Sequence, residues 1–419
     1  MFTLLCILLR AAWAQAPDVP HGGGACATDW DCSLGGTCSE QLCVCDLWWT
    51  GESCAQLNLQ PADPQACGLV APGYLSWGGH PLRDAATGTY HLLASFMCNH
   101  ATLDAWKTKS SIAHATSRDP AGPYLIPEGL DKQLVLPPWS HGAYVVQDPP
   151  TGEYLLWHLG NASVDRSTWF PCYNSSDAEG AAAGGAAEAP AAGLEPGGRE
   201  AFVESAPSLE GPWTAFNNNT GVLVSFPADS WTQMVDNPAP YIFPNGTTLL
   251  YFKGRPCPPS WGALAPMCIG VARADSWRGP YTALFSQPIT HPEGEDPCVF
   301  RDPRGRFHML TNVNTWHARC PAGVPCGGHA WSYDGLTFSN QSIGAFGPVV
   351  RWQNGSYFVG AYAERPQVLQ DTDGTPLVFF TGFGMSSYFD SHNFAQRFCT
   401  PGAPAGTCGP TQLPKNHAV

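Results

Sequence analysis

The chain has 419 residues, a formal net charge of -14, and 13% charged residues against 45 glycines, 40 prolines and 16 tryptophans. Its acidic balance disfavours nucleic acid or anionic membrane as a partner, since both need basic surface. The glycine and proline content points to turn-rich β structure rather than helical bundles, and the length allows one large domain plus a small one.

Residues 1–16 read as a signal peptide. Phe2 to Leu9 form a short apolar core, and Ala12-Trp13-Ala14 and Ala14-Gln15-Ala16 offer small-x-small cleavage sites, although no positive charge opens the segment and Arg10 interrupts it. The apolar run is too short to span a bilayer, and no later stretch of about 20 apolar residues follows, so no transmembrane segment is expected. Seventeen cysteines also suit an oxidising compartment. Sequons begin at Asn161, Asn174, Asn218, Asn245, Asn340 and Asn354, and in a secreted chain these read as glycosylated surface positions.

Residues 22–55 hold Cys26, Cys32, Cys38, Cys43, Cys45 and Cys54. So short a segment cannot bury a sufficient core and needs disulfides, for which six cysteines allow fifteen pairings. A zinc cluster would need reduced thiolates, which an exported chain does not offer. The spacing, with Cys43-Val44-Cys45 and Trp49-Thr50-Gly51-Glu52-Ser53-Cys54, resembles epidermal growth factor-like modules. That resemblance implies the pairs Cys26–Cys38, Cys32–Cys43 and Cys45–Cys54, an extracellular setting, and protein contact or spacing as the module's work. The acidic residues such modules use for calcium are absent from His21-Gly22-Gly23-Gly24-Ala25, so no calcium is expected there.

Beyond the module, five β-rich runs each follow a glycine-containing turn: Tyr90–Ala94, Tyr154–His158, Thr248–Phe252, Phe307–Thr311 and Leu377–Thr381. Strand, tight turn, strand is a hairpin signature. A phrase ending in Gly-Pro-aromatic returns at Gly122-Pro123-Tyr124, Gly211-Pro212-Trp213 and Gly279-Pro280-Tyr281, with a looser copy at Asp334-Gly335-Leu336. One order of elements repeated five times predicts an all-β, five-bladed β-propeller over residues 70–398, since a blade cannot bury both faces alone. A pair of β-sandwiches would not explain the recurrence. Residues 178–199 are Ala/Gly/Pro-rich and aperiodic and read as a disordered insertion within a blade. Residues 399–419 read as an irregular tail pinned by Cys399 and Cys408. Ten cysteines lie outside the module, with Cys257–Cys268, Cys320–Cys326 and Cys399–Cys408 as plausible local pairs.

Gly294-Glu295-Asp296-Pro297-Cys298-Val299-Phe300-Arg301-Asp302 and the similar starts at Asp236-Asn237-Pro238 and Glu364-Arg365-Pro366 resemble the blade motif of glycoside hydrolase family 43. With the front module, the chain resembles eukaryotic exported proteins that join an epidermal growth factor-like module to such a propeller. The resemblance implies O-glycosyl hydrolysis of plant- or algal-type polysaccharide by two positioned carboxyl groups, with a third tuning the proton donor. Glu295 is the first candidate acid and Glu364 an alternative. Asp236 and Asp296 are candidates for base or tuning carboxylate, or plain strand-start residues. Arg365 is a candidate for steadying a carboxylate or a sugar hydroxyl, or for a structural ion pair with Glu295. His80 and His141 read as funnel-lining hydrogen-bonding groups or buried core histidines, and Trp77 as a sugar-stacking or packing residue. The resemblance implies a base Asp at the first blade start, where this chain has Trp77-Gly78-Gly79-His80. His291, His308 and His329 have no metal-ligand spacing, and no metal or cofactor is expected. The competing expectation is a non-catalytic glycan- or protein-binding propeller.

Overall fold

The computed structural model describes residues 21–69, 71, 73–98, 101–126, 134–136, 140–160, 200–219, 221–258, 267–291, 293–313, 326–385, 390–404 and 407–408. The expected leader, Asn161, Asn174, the 178–199 segment, Cys320 and residues 409–419 lie outside them.

Alternating apolar runs and glycine turns build five antiparallel sheets around one axis. Blade 1 is β5 (Ser76–Arg83), β6 (Tyr90–Met97), β7 (Ser110–Ser117) and β8 (Leu134–Leu136); it follows four short strands of the small module, β1 (Gly36–Ser39), β2 (Leu42–Cys45), β3 (Trp49–Thr50) and β4 (Gln56–Leu57). Blade 2 is β9 (His141–Gln147), β10 (Tyr154–Gly160), β11 (Glu200–Ala206) and β12 (Thr214–Ala215). Blade 3 is β14 (Asp236–Ile242), β15 (Thr248–Gly254), β16 (Cys268–Ala274) and β17 (Tyr281–Ala283), with β13 (Val224–Ser225) parallel at its outer edge. Blade 4 is β18 (Glu295–Arg301), β19 (Phe307–Asn312), β20 (Gly327–Ser332) and β21 (Ser342–Phe346). A hairpin of β22 (Val349–Arg351) and β23 (Tyr357–Val359) then leads to blade 5, made of β24 (Tyr362–Gln370), β25 (Pro376–Gly384) and β26 (Ser391–Arg397).

The ring closes with the two ends of the propeller chain. Segments before blade 1 pair with the edge of blade 5 through antiparallel bridges Leu59↔Phe398 and Gly68↔Phe394. Gln60 N donates to Arg397 O at 2.8 Å, and Leu69 N to Asn393 O at 3.1 Å. This supplies the partner that the last strand, β26, would otherwise lack on its outer side. Blades pack face to face through apolar layers such as Leu92, Phe96, Tyr124 and Phe380 between blades 1 and 5.

The Gly-Pro-aromatic phrase is the turn between the third strand and the outermost strand of blades 1 to 3. Its glycines take φ of 104°, 93° and 78°, in the left-handed region. The following tyrosines close the turn: the Tyr124 hydroxyl donates to Pro120 O at 2.9 Å and the Tyr281 hydroxyl to Trp277 O at 2.8 Å. In blade 4 the Asp334 carboxylate does this work, accepting from Leu336 N and Thr337 N at 2.8 Å.

The small module carries disulfides Cys26–Cys38, Cys32–Cys43 and Cys45–Cys54, so the thiolates a zinc cluster would need are engaged. Cys257–Cys268 and Cys399–Cys408 are also joined. Cys298 is a buried free thiol, so the ten cysteines outside the module do not all pair. It sits on the innermost strand of blade 4, where burial pushes its thiol up to about 12.

The module is not a mobile spacer but shares a core with blades 4 and 5. Trp49, fully buried, stacks on His329 at 4.1 Å, and Trp30 lies against Trp331 and Tyr333. Arg306 reaches from blade 4 to Asp46 at 2.9 Å and to Gly36 O at 3.1 Å, while its Nε donates to Asp302 at 2.8 Å. Asp46→Ala leaves buried donors of Arg306 unmatched and is expected to cost about 1–3 kcal/mol, read as a lower urea midpoint with an unchanged slope. Among the described residues, no helix is long and apolar enough to cross a membrane.

Candidate active site

All five innermost strands begin with the same irregularity. Opposite its second strand, each slips by one residue, between Trp77 and His80, His141 and Tyr144, Asp236 and Ala239, Glu295 and Cys298, and Glu364 and Gln367. The residue after each start is left-handed: Gly78 (φ 48°), Gly142 (68°), Asn237 (47°), Asp296 (53°) and Arg365 (54°). A bulge of this kind re-aims two successive side chains toward the end of the strand. The structurally equivalent starts are therefore Trp77, His141, Asp236, Glu295 and Glu364. Within Trp77-Gly78-Gly79-His80 the start is Trp77 and not His80, because the bulge breaks the two-residue alternation along the strand.

The left-handed residues meet at the axis. Arg365 extends across it from blade 5, its Nη1 pairing with Asp296 of blade 4 and its Nη2 donating to Gly142 O of blade 2 at 3.1 Å. Asn237 of blade 3 donates to the same Asp296 oxygen. Blades 1 and 2 supply glycine here for a steric reason. A Cβ on Gly142 would lie 2.0 Å from Arg365 Nη2, and one on Gly78 would lie 2.4 Å from Arg365 Cδ. The arginine thus accounts for the glycines at positions 78 and 142, whereas the first blade start itself is Trp77. Arg365 pairs with Asp296, not with Glu295.

Above this layer lies a cavity of about 70 Å³. Glu295, Glu364 and Lys253 form its polar wall, and Trp77, Trp106, Leu103 and Leu159 its apolar wall. Leu103 and Trp106 arrive on a single 3-10 turn, Leu103–Ala105, that runs into the short helix Trp106–Lys109. His141 also lines it, held by Ser110 Oγ at 2.8 Å from Nδ1 and flanked by the Trp106 ring at 4.9 Å. Trp77 packs edge-on against Tyr362 at 5.7 Å, so it serves both packing and the cavity wall.

The acidic residues are not equivalent. Lys253 Nζ lies 3.1 Å from Asp236 Oδ2 and 3.1 Å from Glu295 Oε2. Burial pulls the lysine down, but Glu295, Asp236 and Asp296 outweigh it and raise it above its ordinary value, so it stays cationic. Asn312 Nδ2 donates to Glu295 Oε1 at 3.3 Å. Asp236 is fully buried behind Lys253, with Arg255 at 3.6 Å, and does not line the cavity. Burial raises Asp296 to about 6, with Arg365 and Lys253 opposing and Glu295 and Asp236 adding to the rise. Burial also holds the Glu364 carboxyl well above the usual carboxylate range, reinforced by Glu295 and Asp296 and opposed by Asn312 and Lys253. Burial therefore favours the protonated form of Glu364.

His80 belongs elsewhere. It lies below the axial layer, at the floor of a second cavity of about 320 Å³ that opens at the opposite mouth of the propeller beside Tyr144, Tyr241 and Cys298. Burial lowers its imidazole to about 3, and its ring lies tilted against Tyr144 with centroids 4.2 Å apart. It is therefore a neutral core histidine and not part of the carboxylate cavity. The larger cavity lacks a pair of buried carboxyls, so volume does not mark the chemistry. Lys253, Asn312 and Trp106 escaped sequence reasoning. The one available signal was a lysine closing the apolar run Leu249-Leu250-Tyr251-Phe252, at a depth where charge needs a partner.

No protein-family model matches the chain, and no curated protein matches it. Solved structures do. A family 117 glycoside hydrolase produced by the marine bacterium Zobellia galactanivorans is 14% identical, covering 87% of this chain and 95% of that one, with a TM-score of 0.50. The likeness is one of fold. An endo-arabinase from Bacteroides thetaiotaomicron is 15% identical over 78% of this chain and 95% of that one, with a TM-score of 0.45. The α-L-arabinofuranosidase of Podospora anserina, solved with cellotriose, is 10% identical over 83% of this chain and 96% of that one, with a TM-score of 0.49.

Proposed function

We propose that the chain is a secreted glycoside hydrolase acting on plant- or algal-type polysaccharide, with an epidermal growth factor-like module welded to its propeller. The observation that carries the reading is a pair of carboxyl residues from neighbouring blades, Glu295 and Glu364, on one cavity wall in opposite electrostatic settings. Separating the demands on two carboxyls in this way is how an acid and a base coexist at one pH. Opposite them, indole and leucine surfaces suit the C–H face of a sugar ring, and His141 supplies a polar edge.

In this scheme Glu364 gives its proton to the glycosidic oxygen as the C–O bond to the anomeric carbon breaks. The Glu295 carboxylate takes the proton of an attacking water or bonds to the anomeric carbon itself. The anomer of the first product, read by proton NMR, separates these two courses. Glu295 thus takes the carboxylate part and Glu364 the acid part, the reverse of the order expected from the blade motif. Asp236, shielded by Lys253, acts on charge and not on substrate. Arg365 and Asp296 hold the axis.

Secretion is supported by the disulfides, and glycosylation by exposed Asn245, Asn340 and Asn354. The module reading is supported by its disulfide pairs, and a role for it in contacting an extracellular protein is part of the same proposal. The test is turnover of aryl-arabinoside, aryl-xyloside and aryl-galactoside panels. No turnover, or turnover unchanged by Glu295→Gln, overturns the assignment.

A second reading is favoured by the lack of a carboxyl at the first blade start, Trp77-Gly78: a propeller that binds glycan without cleaving it. Binding on a glycan array with the ligand intact after prolonged incubation would establish it.

A further inference from the structure

We propose that Lys253 is the positioning residue of the carboxylate cavity, pairing with Glu295 and aiming it inward while Asp236 fixes the ammonium in place. The inference deepens the reading of Glu295 as the working carboxylate and rests on it.

Its basis is geometric. Lys253 opposes Asp236 across the β14–β15 pair, so the first strand of blade 3 supplies one anchor for the ammonium. The other contact belongs to blade 4, and both distances are 3.1 Å. The lysine is 5% exposed, so its ammonium depends on these two carboxylates for its charge partners. The groups facing it are Asp236 and Arg255 of blade 3, Glu295, Asp296 and Asn312 of blade 4, and Glu364 and Arg365 of blade 5. Of the three carboxyl residues lining the cavity, Asp296 is paired by Arg365, and Glu295 receives the Lys253 ammonium directly. Among the described residues Glu364 forms no ion pair with either cation, and it stands near both anions. The position of one ammonium therefore sorts the protons: it sits against Glu295, and the proton stays on Glu364. An unpaired Glu295 would compete for that proton, because two carboxyls at close range resist joint ionisation.

Two readouts test this. In the first, carbodiimide and glycine ethyl ester label the protonated carboxyl of Glu295 across a pH series, and mass spectrometry gives the midpoint. This needs no substrate. Lys253→Met is expected to raise that midpoint by roughly 1–3 pH units, since an opposite charge at this range lowers a carboxyl by about that much. Lys253→Arg, which keeps the charge, is expected to stay near the wild-type value, and Lys253→Gln, neutral but able to hydrogen-bond, replaces the Met variant if that does not fold, with the same shift expected and the same unmoved midpoint counting against the proposal. In the second, the acid limb of the kcat/KM profile moves up in the Met variant by the same amount. An unmoved labelling midpoint in Lys253→Met, or a midpoint in Lys253→Arg raised as far as in the Met variant, overturns the proposal. A shifted midpoint in a protein that cleaves no glycoside overturns the hydrolase reading and leaves the role of Lys253 in place.

Discussion

Glu364→Gln is expected to reduce hydrolysis of substrates with poor leaving groups by about 10²–10⁴-fold, the usual range for a lost general acid. Aryl glycosides with acidic phenols need no protonation and should lose far less. Glu295→Gln removes the other partner and should impair both classes alike. The pH dependence has a definite sign. Glu364 works protonated and its carboxyl is held well above the usual range, so the wild-type rate falls on the alkaline side as Glu364 loses its proton. The same shift is a statement about stability. A carboxyl raised on folding contributes stability that is complete below its unfolded value of 4.5 and is lost as pH rises through the folded value. Glu364→Gln cannot ionise, so its stability should hold on the alkaline side where the wild type declines. Paired urea titrations at two pH values check this without any substrate. A wild-type protein with no alkaline loss relative to the variant would contradict the assignment of Glu364 as the buried acid.

Arg365→Ala is expected to cost about 3–5 kcal/mol, because it leaves Asp296 buried with its cation removed. The substitution also empties the axis between Gly78 and Gly142, whose lack of a side chain is matched to the arginine. Asp296 sits near 6 in the intact protein, so its carboxyl is mostly protonated at pH 5 and mostly ionised at pH 8. The loss in Arg365→Ala should therefore be smaller at pH 5 than at pH 8. Adding Asp296→Asn to Arg365→Ala removes both charges and should recover part of the loss, which a double-mutant cycle measures directly. A small cost independent of pH would show that the arginine only fills space.

These expectations treat the axial layer and the cavity above it as different things, a distinction the chain's linear order conceals. Glu295-Asp296 and Glu364-Arg365 are adjacent pairs in sequence, yet within each pair one residue faces the cavity and the next plugs the axis. The bulge makes that division. It also hides the starts of the first two blades, which lack the Pro that marks the other three. Glu295, Glu364, His141 and Trp77 were recognisable as cavity residues because blade starts converge in any propeller. His80 was not separable from them, since three residues along a bulged strand carried it past the axial layer.

The sequence alone determined the strands, the hairpin turns, the closing turns of the blades and the number of blades. Those rest on local chemistry: alternating burial, the left-handed freedom of glycine, and proline's fixed geometry. With the resemblance that the module's cysteine spacing carries, it also indicated which cysteines pair. Only the tertiary structure decided which carboxyl burial biases toward its protonated form, which arginine closes the axis and which lysine sits between two acids. Arg365 meets Gly142 across 223 residues and Asn237 meets Asp296 across 59. Charge interactions depend on distance and desolvation, and folding sets both where spacing along the chain cannot.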